Sequence, residues 1–506
     1  MPLAIVFSRA NCGIEAPEVI IEVHISKGLP SLSIVGLPEA AVKESKDRVR
    51  SALMNLDFEF PPRRITINLA PADLPKKDGG RFDLAIAIGI LVASGQITNN
   101  GLDKYEFAGE LALNGSLRSF NGALPFALAN QNKQRSIIIP YSNASEAALP
   151  KNINVLPANN LMEVCAHLNG SNLILPYKLP TKESNEEYVL DISDIKGQEH
   201  AKRVLEISAA GGHSLLMLGP PGTGKTMLAS RLPTILPLMT EKEAIETAAI
   251  YSVSGKKFVA EKWLQRPFRN PHHTASSVAL VGGSSPPRPG EISLAHNGVL
   301  FLDELPEFSR TVLEALREPL ESGFVSISRA AYQAKFPANF QLIAAMNPCP
   351  CGNLGSNNKP CHCSPEQIHR YQNRISGPFL DRIDLHIEVP ALPKGVLSQP
   401  RTENAAETSL VVRDRCTKAR NVQLERADKP NSALIGPEID SFCSLSKENR
   451  IFLENASEKL HLSARSFHRL LKVSRTIADL DSEEKIQEKH LSEALRYRRR
   501  VFSQNF

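Results

Sequence analysis

The chain has 506 residues, of which 42% are hydrophobic and 22% charged. This composition is typical of a globular protein and excludes a chain that is disordered or fibrous throughout. The length predicts about three domains with buried cores. The net charge of +5 is too small to indicate nucleic-acid binding by itself. Since no apolar run approaches about 18 residues and the first ten residues do not resemble a signal peptide, we expect a cytoplasmic protein that does not enter the membrane.

The first domain, residues 1–170, alternates strand and helix patterns. Residues 19–25 and 65–69 are rich in β-branched side chains, which predicts strands. Residues 39–56 and 82–93 carry apolar side chains at spacings of three and four, which predicts helices. We therefore expect a mixed α/β domain.

Three segments of this domain, residues 77–87, 122–128 and 136–140, resemble the C-terminal domain of Lon protease, a fold of the ribosomal S5 domain 2-like type. A Lon-type protease needs a nucleophilic Ser and a Lys base. Phe82 and Pro125 occupy the corresponding positions here, so the resemblance implies the fold without proteolysis. We interpret the domain as a scaffold or a collar that contacts DNA, since RadA-like recombination proteins use the same fold.

An interdomain linker is predicted at residues 171–190, where Pro, Ser and charged residues occur without a period. The next domain, residues 191–395, contains the phosphate-loop pattern G-x-x-x-x-G-K-[ST] between a predicted strand and a predicted helix. The pattern consists of Gly219, Pro220, Pro221, Gly222, Thr223, Gly224, Lys225 and Thr226. The glycines let backbone N–H groups face a phosphate, Lys225 adds a positive charge, and Thr226 offers a hydroxyl to Mg²⁺. A glycine-rich segment alone would be only a turn, but this context predicts a bound nucleoside triphosphate.

Two carboxylates follow an apolar run at residues 298–302, which predicts a central parallel strand ending in acids. Asp303 is then expected to hold Mg²⁺ and its water, and Glu304 to polarise the water that attacks the γ-phosphate. The alternative is a pair of solvated acids that open a turn. A further apolar strand ends at Asn347, which is placed to orient the attacking water.

Adjacent histidines, His272 and His273, suggest a metal site. Neighbouring side chains on a helix or strand point in different directions, so we do not expect one metal ion to be held by both. Residues 321–336 alternate around a turn and predict a hairpin. Arg329 and Lys335 on this hairpin are candidate contacts to DNA phosphates, the alternative being charges that are merely solvated.

Four cysteines lie within 15 residues, in a C-x-C…C-x-C arrangement. They are Cys349, Cys351, Cys361 and Cys363. Four thiolates match the ligand number of tetrahedral Zn²⁺, which we take as the first choice. Free thiols, an iron–sulfur cluster, or ligation through His362 or His369 remain alternatives.

The last domain, residues 396–506, is helical by pattern and is predicted to form a lid over the nucleotide. Arg382 precedes it, and Arg465 lies within it. An arginine near the γ-phosphate stabilises the charge of the transition state and is commonly delivered by a neighbouring subunit. The alternative for either residue is a surface ion pair.

The motifs GPPGTGKT, FLDE, AAMNP, FLDRIDL and SARS occur in this order and resemble the AAA+ ATPases of the magnesium-chelatase and minichromosome-maintenance clade. The chain is identified by them as a member of the ComM/YifB group, a resemblance that covers nearly its whole length. It implies ATP as the nucleotide, Arg382 as a trans arginine finger, Arg465 as a sensor-2 arginine, and a ring of six subunits. Residues 267–283 then correspond to the helix-2 insert, and the 321–336 hairpin points into the ring.

Two classes of function are compatible with these features. The first is a hexameric ATPase that moves on single-stranded or branched DNA. The resemblance implies branch migration, which would aid integration of incoming DNA by homologous recombination during natural transformation, with recombination proteins as possible partners. The second is a chelatase-like motor that remodels a protein partner. The hairpin cations, the cysteine cluster and the RadA-like first domain favour DNA.

Overall fold

A computed structural model describes residues 3–36, 40–74, 76, 79–99, 101–179, 189–256, 263–283, 287–329, 332–355, 359–393, 395, 407–460 and 462–498. Within these ranges, no helix is both long and apolar enough to span a bilayer. Three structural regions follow one another along the chain: a mixed sheet, a parallel sheet and a group of helices.

A seven-stranded mixed sheet organises the first region, in the order β3-β4-β2-β1-β5-β8-β9. Its elements are β1 (Leu3–Arg9), β2 (Glu18–Ser26), β3 (Ser31–Val35), α1 (Ala40–Lys43), α2 (Ser45–Asn55), β4 (Arg64–Ala70), α3 (Asp83–Ala93), β5 (Tyr105–Phe107), β6 (Glu110–Leu111), β7 (Leu117–Arg118), α4 (Ala123–Asn130), β8 (Ser136–Pro140), α5 (Ala144–Ala147), β9 (Val155–Ala158) and α6 (Leu161–Leu168). The predicted strands are present as β2 and β4, and the predicted 82–93 helix is α3. The predicted 39–56 helix is two helices, α1 and α2, with Glu44 between them.

The buried helix α3 explains why this region forms a stable core. All eleven of its residues are buried, and it packs against β1 and β2. Its one charged residue, Asp83, accepts a 2.7 Å hydrogen bond from Arg48 of α2. Burial raises the pKa of Asp83, and Arg48 opposes that effect. A charged side chain inside a core is usually paired with an opposite charge, as Asp83 is with Arg48.

A five-stranded sheet organises the second region, and all its strands are parallel, in the order β11-β14-β17-β10-β18. The elements of this region are α7 (Glu199–Gly211), β10 (Leu215–Leu218), α8 (Lys225–Ile235), α9 (Glu241–Ser254), β11 (Phe268–Arg269), α10 (Ser277–Val281), β12 (Gly282–Gly283), β13 (Arg288–Pro289), α11 (Glu291–Leu294), β14 (Val299–Leu302), α12 (Arg310–Ala315), α13 (Arg317–Ser322), β15 (Phe324–Arg329), β16 (Tyr332–Pro337), β17 (Gln341–Met346), α14 (Pro365–Gln372), α15 (Gly377–Leu380) and β18 (Leu385–Glu388).

The central strands β10, β14 and β17 are buried along almost their full length, as expected for parallel strands covered on both faces. Leu218 pairs with Met346, and Leu302 with Ala344. The residues that follow these strands therefore meet at one edge of the sheet. A separate antiparallel hairpin, β15–β16, has the position predicted for residues 321–336.

The third region consists of helices α16 (Ser409–Ala427), α17 (Gly436–Phe442), α18 (Lys447–Lys459), α19 (Ala464–Leu480) and α20 (Glu488–Arg496). Helices α16 and α19 pack on α7, so the helical region shares one hydrophobic cluster with the parallel sheet. The protein is thus an α/β chain with the arrangement that the resemblance implies: a parallel-sheet region in the place of the AAA+ core, followed by a C-terminal helical domain.

The mixed sheet region contacts the AAA+ core through helices α4 and α9. Leu124 of α4 shares a buried cluster with Ala248 of α9. The hydroxyl of Ser252 lies 2.5 Å from a carboxylate oxygen of Glu146, and the Gly122 N–H donates to the Ser252 carbonyl at 3.0 Å. Apolar packing and buried hydrogen bonds together join the two regions.

Candidate active site

The loop between β10 and α8 has the shape of a phosphate cradle. Gly222 and Gly224 have φ angles of 77° and 87°, which L side chains rarely adopt. Gly224 directly precedes α8, whose first N–H groups and positive dipole end face the loop. The octet from Gly219 to Thr226 therefore offers backbone donors and a helix N-terminus to an anion.

Lys225 is buried at the start of α8 and connects the loop to a second strand. Its ammonium donates to the carbonyls of Gly219 at 2.7 Å and Pro220 at 2.9 Å, and to Asn347 Oδ1 at 3.2 Å. Burial lowers the pKa of Lys225, while the negative charges of Asp303 and Glu304 oppose that shift. Both the cation and Asn347 thus lie at the predicted phosphate position.

Thr226 and Asp303 are in direct contact, although 77 positions separate them in the chain. The Thr226 hydroxyl donates to Asp303 Oδ2 at 2.7 Å, and Asp303 Oδ1 accepts from the Glu304 N–H at 2.9 Å. Hydroxyl and carboxylate oxygens are the ligands that Mg²⁺ prefers. These two side chains therefore fit the ion that accompanies a nucleoside triphosphate.

Glu304 lies just beyond β14 with a φ of 53°, in the left-handed region that costs a non-glycine residue about 1–2 kcal/mol. Its side chain is half exposed, and Oε2 lies 3.1 Å from Nδ1 of His273. His273 belongs to the segment between β11 and α10, which was predicted as an insert. The two adjacent histidine rings are 4.2 Å apart, while His272 Nδ1 lies 2.8 Å from the Thr274 hydroxyl. The histidines thus have different partners.

Arg382 and Arg465 come together at one carboxylate, that of Glu321 in α13. Arg382 Nη2 lies 2.7 Å from Glu321 Oε1, and Arg465 Nη2 lies 3.3 Å from the same oxygen. Only 8% of the Arg382 side chain is exposed, and its Nη1 also donates to the Pro378 carbonyl at 2.6 Å. Arg465, in the first turn of α19, is half exposed. The helical region and the AAA+ core thus each supply one cation to this cluster.

The four cysteine sulfurs lie within 4.8 Å of one another, and no histidine belongs to this group among the described residues. Sγ of Cys349 lies 3.4 Å from that of Cys351 and 3.6 Å from that of Cys361, and Cys351 lies 3.6 Å from Cys361. Tetrahedral zinc, with Zn–S bonds of about 2.3 Å, separates its sulfurs by about 3.8 Å. The cluster, which also includes Cys363, therefore has the dimensions of a four-thiolate metal site.

The cysteine segment also touches the phosphate loop. A Cβ atom at Gly352 would lie 2.6 Å from Cδ of Pro221, so only a glycine permits this approach. Gln372 of α14 donates to the Pro348 carbonyl at 3.1 Å, next to Asn347. The cysteine segment is thereby packed between α14 and the nucleotide loop.

Of the two cations predicted on the hairpin, the structure describes the side chain of one. Lys335 is exposed on β16 opposite Ser326, and its ammonium lies 4.0 Å from the centre of the Phe324 ring. Arg329 ends β15 at the turn, and its side chain lies outside the described residues. Towards the end of the described chain, Arg498 is buried, and its positive charge favours the ionised form of Asp384. Residues 499 and 500 lie outside the described residues.

Sequence reasoning missed two residues of this site. His273 was considered only as a metal ligand, because no sequence pattern relates it to Glu304; the pairing of β11 with β14 brings the two side chains together. Glu321 carried no signal at all, since one glutamate on a helix predicts no partner. Both contacts depend on how distant elements pack.

Comparison with known proteins agrees with this geometry. Residues 191–397 match the family model of magnesium chelatase subunit ChlI, residues 21–143 match a second model of that subunit, and residues 406–498 match its C-terminal model. "Competence protein ComM" of Haemophilus influenzae is 56% identical over 506 residues, which cover 99% of this chain and 98% of the relative. "Uncharacterized protein YifB" of Escherichia coli is 53% identical over 498 residues, 98% of this chain and 97% of the relative.

A more distant match is "DNA replication licensing factor Mcm2" of Drosophila melanogaster, 24% identical over 207 residues, which cover 38% of this chain and 20% of the relative. Two relatives are 56% and 53% identical over nearly the whole chain, and three family models match it; together these findings establish the family. The chain belongs to the ComM/YifB family of magnesium-chelatase-like AAA+ proteins.

Proposed function

We propose that this protein is an ATP-dependent DNA motor that works as a ring of six subunits. The observation that carries the proposal is the convergence of Lys225, Thr226, Asp303, Glu304 and Asn347 at one edge of the parallel sheet. These side chains follow the ends of three strands, and they provide groups suited to holding phosphate, Mg²⁺ and the attacking water.

Each of these residues has a distinct role in hydrolysis. Lys225 exchanges its carbonyl partners for phosphate oxygens. Thr226 and Asp303 would hold Mg²⁺, which would supply positive charge against the developing charge of the phosphate. Glu304 accepts a hydrogen bond from the attacking water and polarises it, while Asn347 orients that water. Arg382 and Arg465 stabilise charge on the phosphate in the transition state.

DNA is the proposed track of the motor. Exposed Lys335 on the hairpin, with Arg329 at its turn, suits sequence-independent contact with phosphates. The names of two relatives, a competence protein and a replication licensing factor, support the same class of substrate. We infer that the motor moves branch points and so aids integration of incoming DNA by homologous recombination during natural transformation.

The alternative is a motor that remodels a protein partner, as a chelatase subunit does. The family models of magnesium chelatase subunit ChlI, which match all three regions, favour this candidate. It predicts ATP hydrolysis that is insensitive to DNA.

The discriminating experiment measures ATP hydrolysis with and without single-stranded DNA, duplex DNA and a four-way junction, followed by strand displacement on forked and four-way substrates. The DNA motor is expected to be stimulated by DNA and to displace strands, and its DNA affinity should fall steeply as salt rises. Charge reversal at Arg329 and Lys335 should uncouple hydrolysis from displacement. ATP hydrolysis without any DNA binding or remodelling would favour the alternative.

A further inference from the structure

The contact of two arginines with Glu321 needs an explanation beyond ion pairing. The shortest N–O contact of each arginine is with the same oxygen, Oε1, so the two cations compete for one acceptor, whereas strong arginine–carboxylate pairs use both oxygens. The carboxylate is also half exposed, which weakens the pair through solvent screening. A phosphate group offers three acceptor oxygens and is a better partner for two guanidinium groups.

The burial of Arg382 shows what this contact prevents. With 8% of its side chain exposed and its guanidinium on Glu321 and the Pro378 carbonyl, Arg382 is turned into its own subunit. Its Nε is buried and has no hydrogen-bond partner among the described residues. An arginine that acts on a neighbouring subunit must leave this position, and so must break its bond to Glu321.

Glu321 also lies at the base of the hairpin. It is the second-last residue of α13, and β15 begins three positions later at Phe324. The Ser322 side chain connects the two elements, because its hydroxyl accepts from the Phe324 N–H at 3.2 Å. A displacement of the hairpin therefore moves the carboxylate that holds both arginines.

We propose that Glu321 is a latch: it holds Arg382 and Arg465 away from phosphate in the resting subunit and releases them when a ligand displaces the β15–β16 hairpin. The latch rests on the proposed ATPase function and adds a regulatory residue to it. Idle ATP turnover is held low by Glu321, and occupation of the hairpin by DNA couples to arginine release.

Glu321→Gln tests the latch, because the amide keeps the size of the side chain and removes its charge. We expect the rate of ATP hydrolysis without DNA to rise several-fold, while the rate at saturating single-stranded DNA stays close to wild type. Glu318→Gln is the matched control, since Glu318 is exposed on the same helix and has no arginine partner among the described residues. A merely structural role of Glu321 would instead lower both rates together, and this result would overturn the latch.

A second readout does not depend on hydrolysis. The rate at which phenylglyoxal modifies Arg382, followed by peptide mass spectrometry, should increase in Glu321→Gln and not in Glu318→Gln. Equal modification rates in wild type, Glu321→Gln and Glu318→Gln would overturn the latch even if the hydrolysis rates differed. Wild-type protein that hydrolyses no ATP would refute the proposed function instead, and the modification rates would still test the contact. Thermal melting of each variant verifies that it is folded.

Discussion

Hydrogen bonds, an ion pair and backbone geometry fix the positions of individual side chains in the candidate site. Burial lowers the pKa of Lys225. Its ammonium nevertheless donates hydrogen bonds to two backbone carbonyls, which compensates for the loss of water. Glu304 has an unfavourable backbone angle that turns its carboxylate out of the strand and towards His273. Strain of this kind is found where function requires a fixed direction.

Replacing Glu304 with Gln should leave ATP binding intact and lower the hydrolysis rate by at least about 100-fold, because an amide cannot polarise water as a carboxylate does. Binding of a fluorescent ATP analogue and phosphate release under single-turnover conditions measure the two effects separately. Lys225→Ala is the contrasting variant, expected to weaken binding itself. Wild-type turnover by purified Glu304→Gln would remove Glu304 from its assigned role.

His386 makes stability depend on pH. Burial lowers the pKa of this histidine to about 3, and the positive charge of Arg498 contributes. Its Nε2 is buried without a partner among the described residues. Because the folded pKa lies below that of a free histidine, near 6.5, the unfolded chain binds more protons between these values. The contribution of His386 to the free energy of unfolding is therefore fully present above pH 6.5, and it is lost as the pH falls towards the folded pKa.

We expect the free energy of unfolding to decrease by at most about 1.4 kcal/mol per pH unit below pH 6.5 from this group. Thermal melts from pH 7.5 to pH 5 measure the slope in wild type and in His386→Gln, which cannot take up the proton. The variant should show a shallower slope. The same slope in both proteins would contradict a His386 that stays neutral in the folded protein.

At the scale of elements, the cysteine segment between β17 and α14 connects a metal-type site to the nucleotide loop. Gly352 lies against Pro221, and the cluster begins two residues after Asn347. A change in the cysteine cluster therefore reaches the loop through direct packing. Glu321 connects elements in the same way, since it lies between the hairpin and the two arginines.

Protein purified without chelators should contain about one zinc ion per chain, reflecting four thiolates around one tetrahedral ion. Exchange of Cys351 and Cys361 for Ser should release the metal and lower the melting temperature, because metal binding stabilises the folded segment. Cys12→Ser is the control, since Cys12 is an exposed thiol outside the cluster. Metal-free wild-type protein with full activity would eliminate zinc from the proposal.

At the scale of the molecule, three regions are packed into a continuous unit. Helices α4 and α9 join the mixed sheet to the AAA+ core, and α16 and α19 join the helical region to the same core. Asp384, beside β18, binds Arg469 of α19. Burial favours the protonated form of this carboxyl, but the positive charges of Arg469 and Arg498 outweigh that effect and hold its pKa well below the usual range. Each outer region is therefore in direct packing contact with the core.

Arg382→Ala should bind ATP and lose at least about 100-fold in turnover, in line with the usual contribution of an arginine finger. Mixing it with Glu304→Gln subunits tests delivery between subunits, because the second variant keeps Arg382 and the first keeps Glu304. Hydrolysis by the mixture should exceed the sum of the separate variants. If no mixing ratio restores hydrolysis, Arg382 acts within its own subunit.

Sequence alone determined the local parts of the site. The phosphate loop was recognisable because its glycines, Lys225 and Thr226 act within one short segment. Asp303, Glu304 and Asn347 were recognisable because apolar runs followed by polar residues mark the ends of buried parallel strands. The C-x-C…C-x-C spacing likewise indicates a metal site by itself, because four thiols in one short segment can surround one ion.

Only the tertiary structure decided which distant side chains meet. No periodicity relates Glu321 to Arg382 and Arg465, and their contact exists because α13, the loop before β18 and α19 pack at one corner. The same holds for His273 with Glu304 and Gly352 with Pro221. Local pattern specifies an element and its buried face, whereas contacts across elements are set by the packing of whole layers, which no single segment encodes.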